Sequence, residues 1–313
     1  MDSAAAVSFD ANGTIGAYQI GVLISCVLLG VTTTQTYIYY SRFPEDPAIL
    51  KALVAFVWVC EVAHAICVAH ALYQFTILDY GHAERLFSRL PISLDTAVFF
   101  NALIEQSVLG FFSFRIYTLS MKLYVPILIV FLSSVRFLAS MVTFIITLRL
   151  PSLQSYNAHW SWLSIAQWST SVVNDVVTTA ALVILLYNRR TGVRRKTIAL
   201  VDKIIVWTIE TGMLTSATAI FMIIFYLTMK ERMIWLGAFT VSSRMYSNSL
   251  LASLNSREAL RSMNATQVSL HSFVSRPGIE ILQTTTTNTV VDITAKFPSQ
   301  PQPFQANRQC EEC

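Results

Sequence analysis

Seven long apolar stretches, separated by short polar segments, run along the first four fifths of the chain. They are Ile15–Tyr40, Ala52–Leu78, Ile92–Leu119, Leu123–Leu148, Trp160–Tyr187, Ile204–Met229 and Met233–Leu254. Each is long enough to cross a hydrocarbon core of about 30 Å as a helix, which needs about 20 residues. The first contains no charged residue at all. Proline placement agrees with these boundaries. Pro44 and Pro47 separate the first two stretches, Pro91 precedes the third, Pro151 follows the fourth, and no proline falls in the middle of any. Pro126 stands in the first turn of the fourth, where its missing N–H costs nothing. The pattern predicts an all-α fold, an integral membrane bundle of seven transmembrane helices over residues 1–257. From Glu258 onward Ser, Thr, Gln and Pro dominate, so 258–313 is expected to be a disordered tail. Leu260, Met263 and Leu270 share one face with Arg257 and Arg261 alongside, so the tail either opens with a short interfacial helix or is disordered from its start.

Composition strengthens this picture. Only 13% of the 313 residues are charged and 54% are hydrophobic, where a soluble domain carries about 25% charged. Mean hydropathy is +0.54. Too little charge is present to cover a soluble surface, which excludes soluble, collagenous and disulfide-scaffold classes. The net charge of +4 forms no basic face of the kind nucleic acid requires, so no nucleic-acid partner is expected. Lys and Arg in the connecting segments divide unequally. The side of the N-terminus holds five: Arg85, Arg89, Arg149, Lys230 and Arg232. The opposite side holds eleven, six of them between residues 189 and 203. The N-terminus is therefore expected outside and the tail in the cytoplasm, with the lipid bilayer as the main partner. The basic 189–203 loop and the tail are where a cytoplasmic protein partner would dock. The plasma membrane is the expected host. The first apolar run is too long for a cleaved signal peptide, so it is expected to be retained. Cys26, Cys60 and Cys67 lie inside spans and are expected to act as small hydrophobes.

The informative feature is ionisable residues where lipid should be. Glu61 with His64, Glu105, Arg136, Asp175 and Arg244 fall near the centres of their spans, and Arg115 and Glu210 nearer the cytoplasmic ends. Facing lipid unpaired, the seven Glu, Asp and Arg side chains would cost roughly 17–25 kcal/mol on the insertion scale. They are expected to turn inward and pair, four acids against three arginines. The spacing supports this. Arg244, Asn248 and Asn255 form one polar stripe, and Asn101 and Glu105 share a face. Asp175 has Ser171, Thr178 and Thr179 within a turn, and Thr208, Gly212 and Ser216 make a small-residue seam. The candidate bundle-core polar site is thus Glu61, His64, Asn101, Glu105, Arg136, Asp175, Glu210, Arg244 and Asn248. It reads either as a ligand, ion or proton site or as ion pairs that fix helix register.

Cofactor chemistry finds no support in the sequence, and no cofactor, metal or catalytic residue is expected. Glu61-x-x-His64 is half of a di-iron carboxylate motif, but a second Glu-x-x-His is missing. Only His64 and His70 lie within spans, too few for the zinc site of an intramembrane hydrolase, which leaves enzyme activity a remote reading. A retinal protein needs a lysine midway along the last span, where Arg244 stands instead.

Several segments resemble a family of basidiomycete membrane proteins known by domain of unknown function 6534. Tyr246-Ser-Asn248-Ser-Leu-Leu-Ala-Ser-Leu-Asn255-Ser-Arg257 resembles the end of that domain, and Thr211-Gly212-Met213-Leu214-Thr215-Ser216 its preceding span. Gln35-Thr36-Tyr37-Ile38-Tyr39-Tyr40 and Glu61-Val-Ala-His64, with His70 and Tyr73, are similar to its N-terminal part. The resemblance implies a fungal seven-helix membrane protein with the named domain over about 170–257, and it supplies no catalytic residue. A receptor-like or sensory protein is the function expected from helix number, orientation, the basic loop and the Ser/Thr-rich tail. A proton- or ion-coupled carrier and a scaffold without a small-molecule site are the alternatives.

Overall fold

The computed structural model describes residues 12–80, 82, 90–150, 152–190, 195–229 and 232–274 (backbone only for 153, 189–190, 195–201 and 258–274). Seven long helices make up these residues. They are α1 (Ala17–Arg42), α2 (Ala48–Tyr73), α3 (Ile92–Ser120), α4 (Tyr124–Arg149), α5 (Ser161–Arg190), α6 (Arg195–Thr228) and α7 (Ile234–Val274). A π-helical turn, Asn12–Gly16, leads into α1, a second, Gln74–Leu78, extends α2, and a short helix, Leu153–His159, precedes α5. No strand occurs among the described residues. The chain divides into a unit ending at Asn264, which holds the bundle, and a second unit, of which residues 265–274 are helical backbone. The expected tail from 275 onward lies outside the described residues.

Six helices are long and apolar enough to cross a membrane: those over Asn12–Arg42, Ala48–Leu78, Ile92–Ser120, Tyr124–Arg149, Ser161–Asn188 and Asp202–Thr228. The expected seventh, α7, is not among them. The cause is local: Arg244, Asn248, Asn255 and a run of serines dilute its apolar residues. Those polar groups face protein rather than lipid. Thr240, Ser242, Ser243, Arg244, Tyr246, Ser247, Leu250, Leu251 and Leu254 are all buried. A helix walled in on several sides needs no apolar outer face.

The sequential helices pack as neighbours, α1 on α2, α2 on α3, and so on to α5 on α6, with α3 also against α5. α7 closes the bundle against α1. Gly21 and Gly237 meet backbone to backbone there, and a Cβ built on Gly237 would lie 2.7 Å from the Ala17 carbonyl oxygen. Further along, the Asn248 amide donates to the Leu28 carbonyl (3.5 Å) and the Asn255 amide to the Gln35 carbonyl (2.9 Å). Residue numbers rise together on both helices, so α1 and α7 run parallel. A second close crossing joins α5 and α6, where a Cβ on Gly212 would overlap the Thr179 side chain. This is the seam expected at Thr208, Gly212 and Ser216.

Outward positions carry apolar and interfacial residues: Ile20, Leu23, Ile66, Leu138, Ile184 and Ile224 are exposed, as are Tyr37, Tyr117, Tyr124 and Tyr187 near helix ends. Exposed threonines on these faces satisfy themselves. Thr33 and Thr34 donate to the carbonyls of Leu29 and Gly30, so neither hydroxyl is left unbonded toward lipid. Cys26 is exposed on α1 and does not fill the core as expected, while Cys60 is buried.

Two sequence expectations need correction. The segment 189–203 is mostly not a loop: helix runs to Arg190 and resumes at Arg195, because cations beside the headgroups do not stop a helix. Glu210 is exposed, not in the core. The inward face of α6 is set by Thr208, Gly212 and Thr215, and Glu210 stands about 200° from Thr208, on the opposite side.

Candidate functional site

Many of the buried polar residues lie midway along the bundle, between two of its apolar clusters. On the side where α1 begins (the N-side), Tyr18, Val68, Phe75, Leu94, Trp168, Met222, Tyr226 and Leu236 pack together. On the side where α1 ends (the C-side), Tyr39, Val54, Val57, Val108, Leu250 and Leu254 do the same. Between them the polar groups separate into two centres on opposite faces of α7.

Arg244 organises the first. Its guanidinium pairs with the Glu61 carboxylate, and its Nη1 also donates to the Glu61 carbonyl at 2.9 Å. Its Nε donates to Ser25 Oγ at 2.9 Å, and its Nη2 lies 3.4 Å from His64 Nδ1. An arginine nitrogen can only donate, so Nδ1 accepts and a neutral His64 carries its proton on Nε2. Arg244, Glu61 and His64 are each 0% exposed. Three helices are tied together through one side chain.

The second centre is a chain. Glu105 pairs with Arg136 at 2.5 Å, joining α3 to α4. Asn101 bonds to Glu105 and also accepts from Ser242 Oγ of α7 at 3.2 Å. Arg136 lies within electrostatic range of Asp175 and Tyr246 as well as Glu105. Asp175 takes no arginine. The Tyr246 hydroxyl donates to its two carboxylate oxygens at 3.0 and 2.9 Å, and Ser171 Oγ sits 2.8 Å from the same hydroxyl. Thr215 of α6 completes the shell of Asp175. One guanidinium thus pairs with Glu105 and lies near a second carboxyl, Asp175.

The expected pairing of four acids with three arginines therefore holds for two pairs, Glu61 with Arg244 and Glu105 with Arg136. Asp175 is held by a phenol, Glu210 is exposed, and Arg115 donates to Ser253 Oγ. Asn248 faces α1 and is structural, spanning the Arg244 and Leu28 carbonyls. His70 lies apart from the core, 3.0 Å from Ser93 Oγ. Sequence reasoning missed Tyr246. It stands two residues from Arg244, on the other side of α7, and the signal for it was that polar residues occupy both faces of that helix.

Asp175 lines a cleft, and Glu105 lines a smaller pocket with Arg136, Ser133 and Ser140. The cleft encloses about 620 Å³ of empty space, its mouth included, between α3, α5, α6 and α7. Asp175, Thr178, Thr215 and Tyr246 form its buried floor. Burial falls toward Arg115, Ile204, Trp207 and Ser253, which are half-buried, so the mouth lies on the C-side. On the N-side the bundle is shut by Trp168, Tyr226 and Trp235, with ring centroids 5.2, 6.0 and 5.3 Å apart. Tyr226 is anchored there by a 2.7 Å hydrogen bond to Asn157. No cluster of three or more metal-ligating side chains occurs among the described residues.

No curated protein and no solved structure matches the chain. The apolar helical bundle is that of a multi-pass integral membrane protein, and residues 171–259, which take in most of α5, all of α6 and the bundle part of α7, match a family of unknown function, DUF6534.

Proposed function

We propose that the protein is a seven-helix, receptor-like membrane protein, N-terminus outside and C-side cytoplasmic, in the plasma membrane, with α7 as its moving part. The seventh span is supported by the parallel contact of α1 and α7. Six alternating crossings return the chain to the side on which α1 began, and α7 then runs alongside α1. Orientation rests on the five-to-eleven excess of Lys and Arg toward the C-side. In a Cys-less background, a membrane-impermeant maleimide added from outside should label Tyr80→Cys and spare Tyr124→Cys, both exposed near helix ends on opposite sides. The reverse pattern would overturn the orientation, and labelling of both would overturn the span count.

The observation that carries the receptor reading is that one helix holds both polar centres. Tyr246 contacts Asp175 at the cleft floor, while Arg244, on the reverse face, holds Glu61 in a fully buried pair. A ligand that draws on the Asp175 side displaces α7 and disturbs the other centre. Two alternative polar arrangements of one packed helix are the kind of two-state element that signalling needs. Purified protein should show ligand-induced thermal stabilisation that Glu105→Gln abolishes. Stabilisation unchanged in that variant removes the core from the response.

One observation favours a carrier instead. A mid-membrane carboxyl reached from one side and shut from the other by packed aromatics is half of an alternating-access cycle. Proton flux into liposomes that depends on Asp175 would establish that reading, and its absence favours the receptor. If neutralising the core charges alters folding alone, neither activity holds and the bundle is a scaffold.

A further inference from the structure

The cleft is bipolar. Its floor carries a carboxyl, Asp175, and the nearest guanidinium, Arg136, is already paired with Glu105. Its mouth is basic, because Arg115 stands there within electrostatic range of Arg257. Between them the walls carry hydroxyls, among them Thr208, Thr211 and Ser249. One floor hydroxyl is not used by the protein: Thr178 is 6% exposed, lines the cleft, and its Oγ1 has no hydrogen-bond partner. A buried hydroxyl without a partner costs about 1–3 kcal/mol, so an acceptor or donor placed beside it is favoured.

We propose that this cleft binds a short peptide, its ammonium end on Asp175 and its carboxylate end on Arg115. The two ends are separated on α7 by the step from Tyr246, which holds Asp175, to Ser253, which holds Arg115. Seven residues of helix make this about 10 Å. An extended chain covers about 3.3–3.6 Å per residue, so the span corresponds to about three residues. A lone amine would be repelled at the mouth and a lone carboxylate at the floor. A zwitterion of this length meets both, and its backbone amides suit the hydroxyl walls and Thr178.

The proposal rests on the seven-helix reading only in placing the cleft inside a lipid-spanning bundle, which the maleimide labelling tests separately. The experiment uses the full chain in nanodiscs and titrates glycine, diglycine and triglycine, with N-acetyl-triglycine and triglycine amide as probes of each end. Triglycine should stabilise the protein, glycine should not, and blocking either end should weaken binding at least tenfold. Arg115→Gln should erase the difference between triglycine and its amide while keeping that between triglycine and its acetyl derivative. Asp175→Asn should do the converse. Stabilisation by the blocked peptides equal to that by triglycine, or none by triglycine up to millimolar concentration in protein that labels correctly, overturns the proposal. Should Asp175→Asn fail to fold, the blocked peptides on the native chain and Arg115→Gln still decide it.

Discussion

Replacing Arg244 by Met tests the central claim of the fold. Arg244 is fully buried and bonds to Ser25 of α1 and to both the carboxylate and the carbonyl of Glu61 on α2. Methionine matches its bulk, so the cavity term is small, and the dominant loss is electrostatic. The Glu61 carboxylate, itself 0% exposed, is left without its counter-charge. Breaking a buried pair on one side costs about 3–5 kcal/mol, while replacing both partners by apolar residues of similar size is near neutral or stabilising by 1–4 kcal/mol. Arg244→Met alone should therefore destabilise by about 3–5 kcal/mol, and Arg244→Met with Glu61→Leu should recover most of that loss. Glu61→Leu alone should cost a similar amount, so with the double variant near neutral the implied coupling is about 6–10 kcal/mol. Reversible unfolding in mixed micelles, followed by tryptophan fluorescence, measures all four members of the cycle. If the double variant is as unstable as the two singles added together, the charges do not depend on each other and the pairing is wrong.

Other expectations are simpler. Gly237→Leu and Gly21→Leu should each abolish the stable bundle, because the new side chain would occupy the partner helix's backbone; loss of the folded band in size-exclusion chromatography checks this. Tyr246→Phe removes the hydrogen bonds to Asp175 and should cost about 1–3 kcal/mol by the same unfolding assay, leaving a buried carboxylate with fewer donors. Arg257→Ala breaks the 2.6 Å pair with Asp46, but that arginine side chain is 35% exposed, so the loss should stay within about 1 kcal/mol. Glu210→Gln should leave stability unchanged within about 0.5 kcal/mol, as befits an exposed position.

The helices were legible in the sequence because lipid imposes a length and a composition that local residues reveal. Six of the seven expected stretches are candidate spans with ends shifted by a few residues. The start of α6 was misplaced because hydropathy detects the bilayer and not the helix, which continues into the basic segment at Arg195. The inward turn of Glu105, Arg136, Asp175 and Arg244 followed from cost alone, and the stripe Arg244, Asn248 and Asn255 from helical period. Which residues meet did not. The Arg244 contacts lie 219 and 183 positions away in the chain, at Ser25 and Glu61, and no local pattern encodes a partner so distant. Gly21 and Gly237 were passed over for the same reason: a glycine in a helix says that something approaches closely, not what approaches. The cleft was invisible because it is a shape shared by four helices.

The least apolar of the long helices is the one most enclosed, and this ordering has a cause. Within lipid, apolar side chains gain little by meeting one another, so association must come from close backbone contact and polar bonds. α7 supplies both: Gly237 permits the approach to α1, and Arg244, Ser242 and Tyr246 reach α2, α3 and α5. The residues that would make α7 a poor span alone are those that hold the other helices around it. Polarity that hydropathy counts against a transmembrane segment is here what ties the bundle together. Asp175, which α7 holds through Tyr246 at the floor of the cleft, is where the bundle has room for something else.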